Sequence, residues 1–472
     1  MDLMERYIQA IDREIEQVRA ELSRDTIRLV NIKSTRSESV PGAPFGEGPR
    51  AVLDAVLDMS AEEGFHTVDY GVGVISAALK EGQPDLGIWT HGDVVSEGDG
   101  WSFEPYNAVE YKGCIVGRGA TDNKGQLVSI FHLLRIFRKL NIPLKYNPAL
   151  YVGSNEETGM KDMICIPGND DARGFCNVCT PPKLSLVPDG SFPVGYGGKG
   201  GMGLSVKSKL PLSSVTLSAG RKESPGKASA ILKTTQVPEN LPDCEILCHD
   251  GGVEIVTQTP PVHSAHPKPG GNMITKLMGV LLDYDLVAKE DRPVLEFIRK
   301  VSLDISGALF GLDIQPEGMG PLTLATIGID TGADGCPELK MNIRYPIGLT
   351  FEQVVSQVGN VAEQNGMTIG AANAGTEPYL LDSSWPVIDR LKDIANEITG
   401  MDKAAYTLGG GTYAHRLPNA LVYGMDGCKP PEDFPQGRGG AHGIDEVVSL
   451  DRLQRAMRIY ARALLALNDM EW

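Results

Sequence analysis

Apolar runs that stop abruptly in acidic or histidine-bearing turns are what most constrain this chain. LGIWTHGDVV at 86–95 reads as a buried strand entering a polar loop. The run Ala149 to Val152 is strand-like and ends in SNEETG, where Glu156 and Glu157 stand side by side. LSLVPDG at 184–190 repeats the form with Asp189. Between them Leu127, Ile130, Phe131, Leu134 and Phe137 recur at helical spacing after Gly125. Strands alternating with helices, with polar chemistry at strand ends, predict an α/β domain.

The N-terminal stretch 4–33 reads as one long amphipathic helix, and a second follows at about 48–64, ending at Gly64. The segment 96–118 is turn-rich. The character changes after about 196, where VGYGGKGGMG opens a strand-rich stretch. Helices are expected near 271–289 and 291–307, strands at 322–328 and 338–345, and a helix at 350–365 with Thr350 and Gln353 as its capping box. A helix from about 384 to 399 and a closing helix after Ser449 restore the α/β character. The expected organisation is an α/β domain split into 1–196 and 377–472, its mixed sheet flanked by helices, with an inserted α+β domain at about 197–376.

With 472 residues the chain has room for a sizeable core. A net charge of −17 disfavours nucleic acid and anionic membrane surfaces as partners. No run of about 18 apolar residues exists, so no membrane span is expected. The first residues lack the apolar centre of a signal peptide, and the eight cysteines are scattered. A cytoplasmic protein with reduced thiols is the expectation.

Four polar stretches surround the acidic pair in sequence: THGDVV with His91 and Asp93, GRGATDNKG with Asp122, LVPDG with Asp189, and GAHGIDE with His442. Taken singly, each residue has a plainer role: a loop histidine, a helix N-cap, a turn aspartate, a solvated acidic face. Taken together, His, Asp, Glu, Asp and His at strand ends and glycine-rich turns make a ligand set for two divalent ions. Imidazole and carboxylate donors suit zinc, with manganese or cobalt as alternatives. Two ions about 3.5–4 Å apart need a bridging carboxylate. One residue of the acidic pair can bind an ion while its neighbour, Glu156, moves protons.

The order HxDV, GRGATDNKG, NEETG, PDG and AHGIDE resembles the co-catalytic metallopeptidase family twenty, and most of all its bacterial PepV-like dipeptidase branch. The resemblance runs nearly end to end. It implies that Asp122 bridges two metals, that His91 and Asp189 complete one site, and that Glu157 and His442 complete the other. Asp93 would orient His91, Glu156 would be the general base, and a cis peptide would follow Asp122. The insert would be the family's lid. There His263, followed by Pro267, Gly270 and Asn272 at the family's offsets, would stabilise the oxyanion. Arg344 in MNIRYP would grip the substrate's terminal carboxylate, and Gly410, Gly411 and Tyr413 in GGGTY would line the same end. The long lid implies a monomer, and the family implies a small peptide as substrate.

Two positions depart from that pattern. The lid segment expected as N-x-V-P-D reads Lys222 to Gly226, KESPG, and His415 stands where the glycine-rich loop ordinarily ends in arginine. These bear on substrate choice. The function implied is a metal-dependent dipeptidase. An N-acyl-amino-acid deacylase with the same machinery is the near alternative, and a catalytically silent binding protein on this fold the remote one.

Overall fold

Three neighbouring parallel strands carry the turns singled out above. In the computed structural model, Leu86–His91 lies between Pro148–Gly153 and Leu184–Val187, parallel to both. The structure describes residues 3–166, 179–220, 226–234, 236–238, 240–249, 252–258, 271–425 and 430–472. The chain divides into two units, one of Met1–Tyr196, Leu381–Tyr406 and Thr412–Trp472, the other of Gly197–Leu380 and Thr407–Gly411.

In the first unit the sheet runs His66–Asp69, Val74–Ala78, Pro148–Gly153, Leu86–His91, Leu184–Val187, Ala420–Val422. The two outer strands at the start are antiparallel and the rest of this path is parallel. The central strands are buried along their whole length. That is why they read as continuous apolar runs and not as alternating ones. Helices Gly125–Lys139, Pro386–Thr399 and Leu450–Leu467 share one core with the sheet. The last buries Leu453, Met457, Tyr460, Leu464 and Leu467, each worth roughly 1.5–3 kcal/mol on full burial.

The expected single N-terminal helix is two, Leu3–Gln17 and Arg19–Val30, with Val18 at φ −78°, ψ 0° between them. The apolar stripe hides the break. Val18 N–H still bonds Glu14 O at 3.0 Å, and Leu22 N–H bonds Val18 O at 2.8 Å, so the helical spacing continues across it. A second difference lies in the turn-rich segment. Val109–Tyr111 and Cys114–Val116 form a small antiparallel sheet with Val447–Ser449 from near the C-terminus.

The second unit is an eight-stranded antiparallel sheet in the order Glu245–His249, Gly252–Gln258, Lys227–Leu232, Val215–Ala219, Thr323–Thr331, Pro337–Tyr345, Gly200–Ser208, Met367–Ala374. Helices Met273–Asp283, Arg292–Leu303 and Phe351–Gln364 contribute to its core. The capping box of the last is present: Gln353 N–H donates to Thr350 Oγ1, and Thr350 N–H to Gln353 Oε1. Among the described residues no helix is long and apolar enough to cross a membrane.

Candidate metal centre

The parallel register brings the chemistry-bearing turns to one edge of the first unit's sheet. His91 is the last residue of its strand and pairs with Gly153, the last of its neighbour. Glu156 and Glu157 follow Gly153, and Asp189 follows the strand ending at Val187. Carboxyl ends of adjacent parallel strands are where α/β sheets collect their ligands. Asp122 arrives from the side, in the irregular turn Ala120–Lys124 that opens the Gly125–Lys139 helix, and its peptide to Asn123 is cis, as the resemblance implies. His442 arrives through the small sheet. Val447 pairs with Val116, and Gly117 N–H bonds Glu446 O at 2.9 Å, which sets the 440–446 loop against the 117–122 turn.

The side chains converge. His91 Nε2 lies 3.0 Å from Asp122 Oδ1, and His442 Nε2 lies 3.0 Å from both Asp122 Oδ2 and Glu157 Oε1. Donor atoms of His91, Asp122 and Glu157 lie within 4.8 Å of one another, as do those of His91, Glu156 and Asp189. Glu156, assigned by the resemblance to the base, therefore stands as close to His91 and Asp189 as a ligand would. Its Oε1 is buried and has no hydrogen-bond partner.

The electrostatics are those of a cation site. Burial and the neighbouring Asp189 hold Glu156 protonated well above the usual carboxylate range. Burial and Asp122 push Glu157 up and Asp189 to about 7. The histidines go the other way. Hydrogen bonds that His442 donates to Asp122 and Glu157 raise it to about 11. Burial would lower His91, but Asp122 and Asp93 outweigh it and raise it well above its ordinary value. Burial likewise opposes ionisation of Asp122, yet His442 and His91 hold it well below the carboxylate range. Protons thus compensate a cluster of carboxylates that divalent ions would compensate better. Imidazole and carboxylate donors without thiolates, converging at a sheet edge, fit divalent ions of the zinc, manganese or cobalt type.

Asp93 acts on both ligand turns. His91 Nδ1 faces the Asp93 carbonyl at 3.0 Å and its carboxylate at 3.6 Å, which leaves Nε2 turned to Asp122. The Asp93 carboxylate itself accepts Glu156 N–H at 3.0 Å and Glu157 N–H at 3.1 Å.

Three further groups hold the site together and were not singled out from the sequence. Glu446 accepts N–H bonds from Gly119, Thr121 and Asp122 and from buried Arg118, whose guanidinium also reaches His442 O at 3.2 Å. Asn123 Nδ2 donates to Pro188 O at 2.9 Å, tying the Asp122 turn to that of Asp189. Asp162 holds the start of the acidic turn through Ser154 N–H and Asn155 N–H. Glu446 closes the GAHGIDE stretch. Asp162 lies in no motif, and two of its three hydrogen bonds come from backbone N–H groups.

The remaining expected residues fall elsewhere. Tyr413 is buried, and its hydroxyl donates to Asp162 Oδ2 at 2.5 Å, so this hydroxyl is engaged within the first unit and not offered to a substrate. Gly410 and Gly411 belong to the second unit. So does Arg344, which stands on Pro337–Tyr345 opposite Gly201, its Nε buried without a partner. Burial lowers the Arg344 pKa from its ordinary value. His263 and the 222–225 departure lie outside the described residues. Asn272, the last position of the His263 motif, caps the Met273–Asp283 helix by accepting Ile274 N–H.

Comparison with known proteins gives the family. The sequence profile of "Peptidase family M20/M25/M40" matches residues 87–466. A Bacillus subtilis protein named "Putative dipeptidase YtjP" is 27% identical over 96% of this chain and 99% of its own length. A Staphylococcus aureus protein named "Putative dipeptidase SAUSA300_1697" is 26% identical over 96% and 98%. Two solved structures share the fold. One is the Saccharomyces cerevisiae di-peptidase Dug1p, with TM-score 0.60 and 16% identity over 98% of this chain and 99% of that one. The other is human carnosine dipeptidase 1, with TM-score 0.58 and 17% identity over the whole of both chains.

Proposed function

The chain belongs to peptidase family M20/M25/M40 and is a hydrolase of peptide bonds, and from that premise we propose that it is a dipeptidase acting on unsubstituted dipeptides with two divalent ions. The observation that carries the two-ion part is Asp122. Its two carboxylate oxygens each face a different imidazole, His91 on one side and His442 on the other. A carboxylate so divided suits a bridge between two ions, with Asp189 beside His91 and Glu157 beside His442 completing the two sides.

Divalent ions held there supply Lewis acidity, which lowers the pKa of water towards neutrality and polarises an amide carbonyl. The chain's own residues do the rest. Glu156, buried with a free carboxylate oxygen, takes the proton of the attacking water and passes it to the leaving amine. Asp93 fixes the His91 ring and the backbone of the acidic pair. Arg344, which stands on the second unit, is assigned to the substrate's terminal carboxylate by the family resemblance. His263, for the oxyanion, and Gly410 and Gly411, for the carboxyl end, rest on the family resemblance.

The test is a panel of free dipeptides, their N-acetylated forms and a tripeptide, assayed after chelation and return of zinc, manganese or cobalt. Cleavage confined to free dipeptides and restored by the ion supports the proposal. Preference for the N-acetyl compounds replaces it with a deacylase.

A further inference from the structure

The backbone that carries the acidic pair is gripped at four successive N–H groups. Asp162 accepts Ser154 N–H at 2.8 Å and Asn155 N–H at 2.9 Å. Asp93 accepts the next two, Glu156 and Glu157. Two buried carboxylates thus define the path of the turn from which both glutamates project. Asp93 is part of the His91 sequence motif. Asp162 is not, and nothing in the chemistry above employs it.

Its surroundings are unusual for a structural carboxylate. Asp162 is fully buried, and its hydrogen-bond partners carry no charge. All three bonds, the third from Tyr413 Oη at 2.5 Å, end on Oδ2, while Oδ1 has none. A buried carboxylate without a cation is costly to keep. The neighbouring strand end leaves room for this cluster. A Cβ on Gly153 would stand 1.9 Å from the Tyr413 hydroxyl and 2.5 Å from Asp162 Oδ2. A glycine at the last position of a buried strand, directly before the acidic turn, is what admits the Asp162–Tyr413 pair.

We infer that Asp162, itself held by Tyr413, is a positioning residue for Glu156 and Glu157: it sets their turn through the 154–155 backbone and touches neither substrate nor ion. The catalytic arm of the test rests on the hydrolase reading; the ion-binding arm does not. Three acceptor bonds on one oxygen mean that Asp162→Asn, whose carboxamide oxygen can take the place of Oδ2, keeps the geometry without the charge. Asp162→Ala leaves two N–H groups and a hydroxyl without an acceptor.

The experiment compares the parent, Asp162→Asn, Asp162→Ala and Tyr413→Phe. Each is assayed well below its own melting temperature for zinc affinity, by competition with a chelating dye, and for dipeptide kcat and KM. Outer-shell support of metal ligands is commonly worth about 10–100-fold in affinity or rate. Asp162→Ala is expected to lose at least about tenfold in zinc affinity and in kcat, with KM little changed, and Asp162→Asn to stay within about threefold of the parent. If Asp162→Ala does not fold, Tyr413→Phe decides, with a smaller loss in the same two quantities. An alanine variant that melts lower but binds zinc and turns over as the parent does would make Asp162 a purely structural residue and overturn the inference, as would parental values for the phenylalanine variant where it decides. Loss of zinc affinity in a protein whose parent cleaves no peptide would uphold the positioning role and sink the hydrolase reading instead.

Discussion

His442 Nε2 stands 3.0 Å from Asp122 Oδ2, although Asp122 lies just before the Gly125–Lys139 helix and His442 shortly before the Leu450–Leu467 helix. The contact is made by the small sheet that joins Val447 to Val116. It places an imidazole on the oxygen of Asp122 that His91 does not use. Such a divided carboxylate has a consequence in the absence of ions: the imidazoles hold protons in their place.

Ion binding should therefore release protons. Asp122 and Glu157 raise His442 to about 11, and Asp122 and Asp93 raise His91 well above its ordinary value, so both rings hold their protons more firmly than a free imidazole. An ion needs the neutral ring. Affinity must then rise with pH, and titration calorimetry at pH 7 in two buffers of different ionisation enthalpy should report proton release. Identical heats in the two buffers would speak against the protonated pair.

Glu156→Gln removes the proposed base and leaves a side chain of the same shape. The expected result is a fall in kcat of about 10²–10⁴ with two ions retained. Parental turnover would remove Glu156 from the mechanism.

Arg118 and Glu446 form a buried ion pair at 2.6 Å beneath the Asp122 turn. Arg118→Met leaves Glu446 charged, buried and without its cation, at a cost of about 3–5 kcal/mol. Urea denaturation of the single and double variants measures it. The double variant with Glu446→Gln should be less destabilised than the sum of the singles, since the two act as one unit. Simple additivity would mean that the pair does not couple.

How much of this was legible in the sequence follows from where the partners lie. Central strands bury both faces, so their apolar runs are continuous and the polar residues that end them stand out, as at His91 and Glu156. The Thr350–Gln353 box is local and reads directly. The break at Val18 does not read, because Ile15, Val18 and Leu22 stay buried across it. The strands Val109–Tyr111 and Cys114–Val116 have three residues each, too few to show a period. Asp162 and Glu446 do not read as supports, since most of their hydrogen bonds come from backbone N–H groups, which leave no mark on side-chain identity.

Asp162 also gives a pH signature. Burial, with Asp93 nearby, lifts it to about 7 from the ordinary carboxylate value. Between that ordinary value and about 7 the folded state binds more protons than the unfolded state, so this group's contribution to stability falls as pH rises. At about 1.4 kcal/mol per unit the penalty at pH 8 is of order 4 kcal/mol. Asp162→Asn removes it. Denaturant melts should show the variant gaining on the parent from pH 5 to pH 8; a constant difference would mean that Asp162 does not titrate in this range.

The central claim is that two ions bound by the Asp122 cluster are required for hydrolysis. The measurement that tests it most directly is dipeptide hydrolysis against equivalents of zinc or manganese returned to the stripped protein, with bound metal counted in the same samples. Activity is expected to be absent without ions and to rise until two are bound per chain. Full activity in protein stripped of metal, or saturation at one ion, would contradict it.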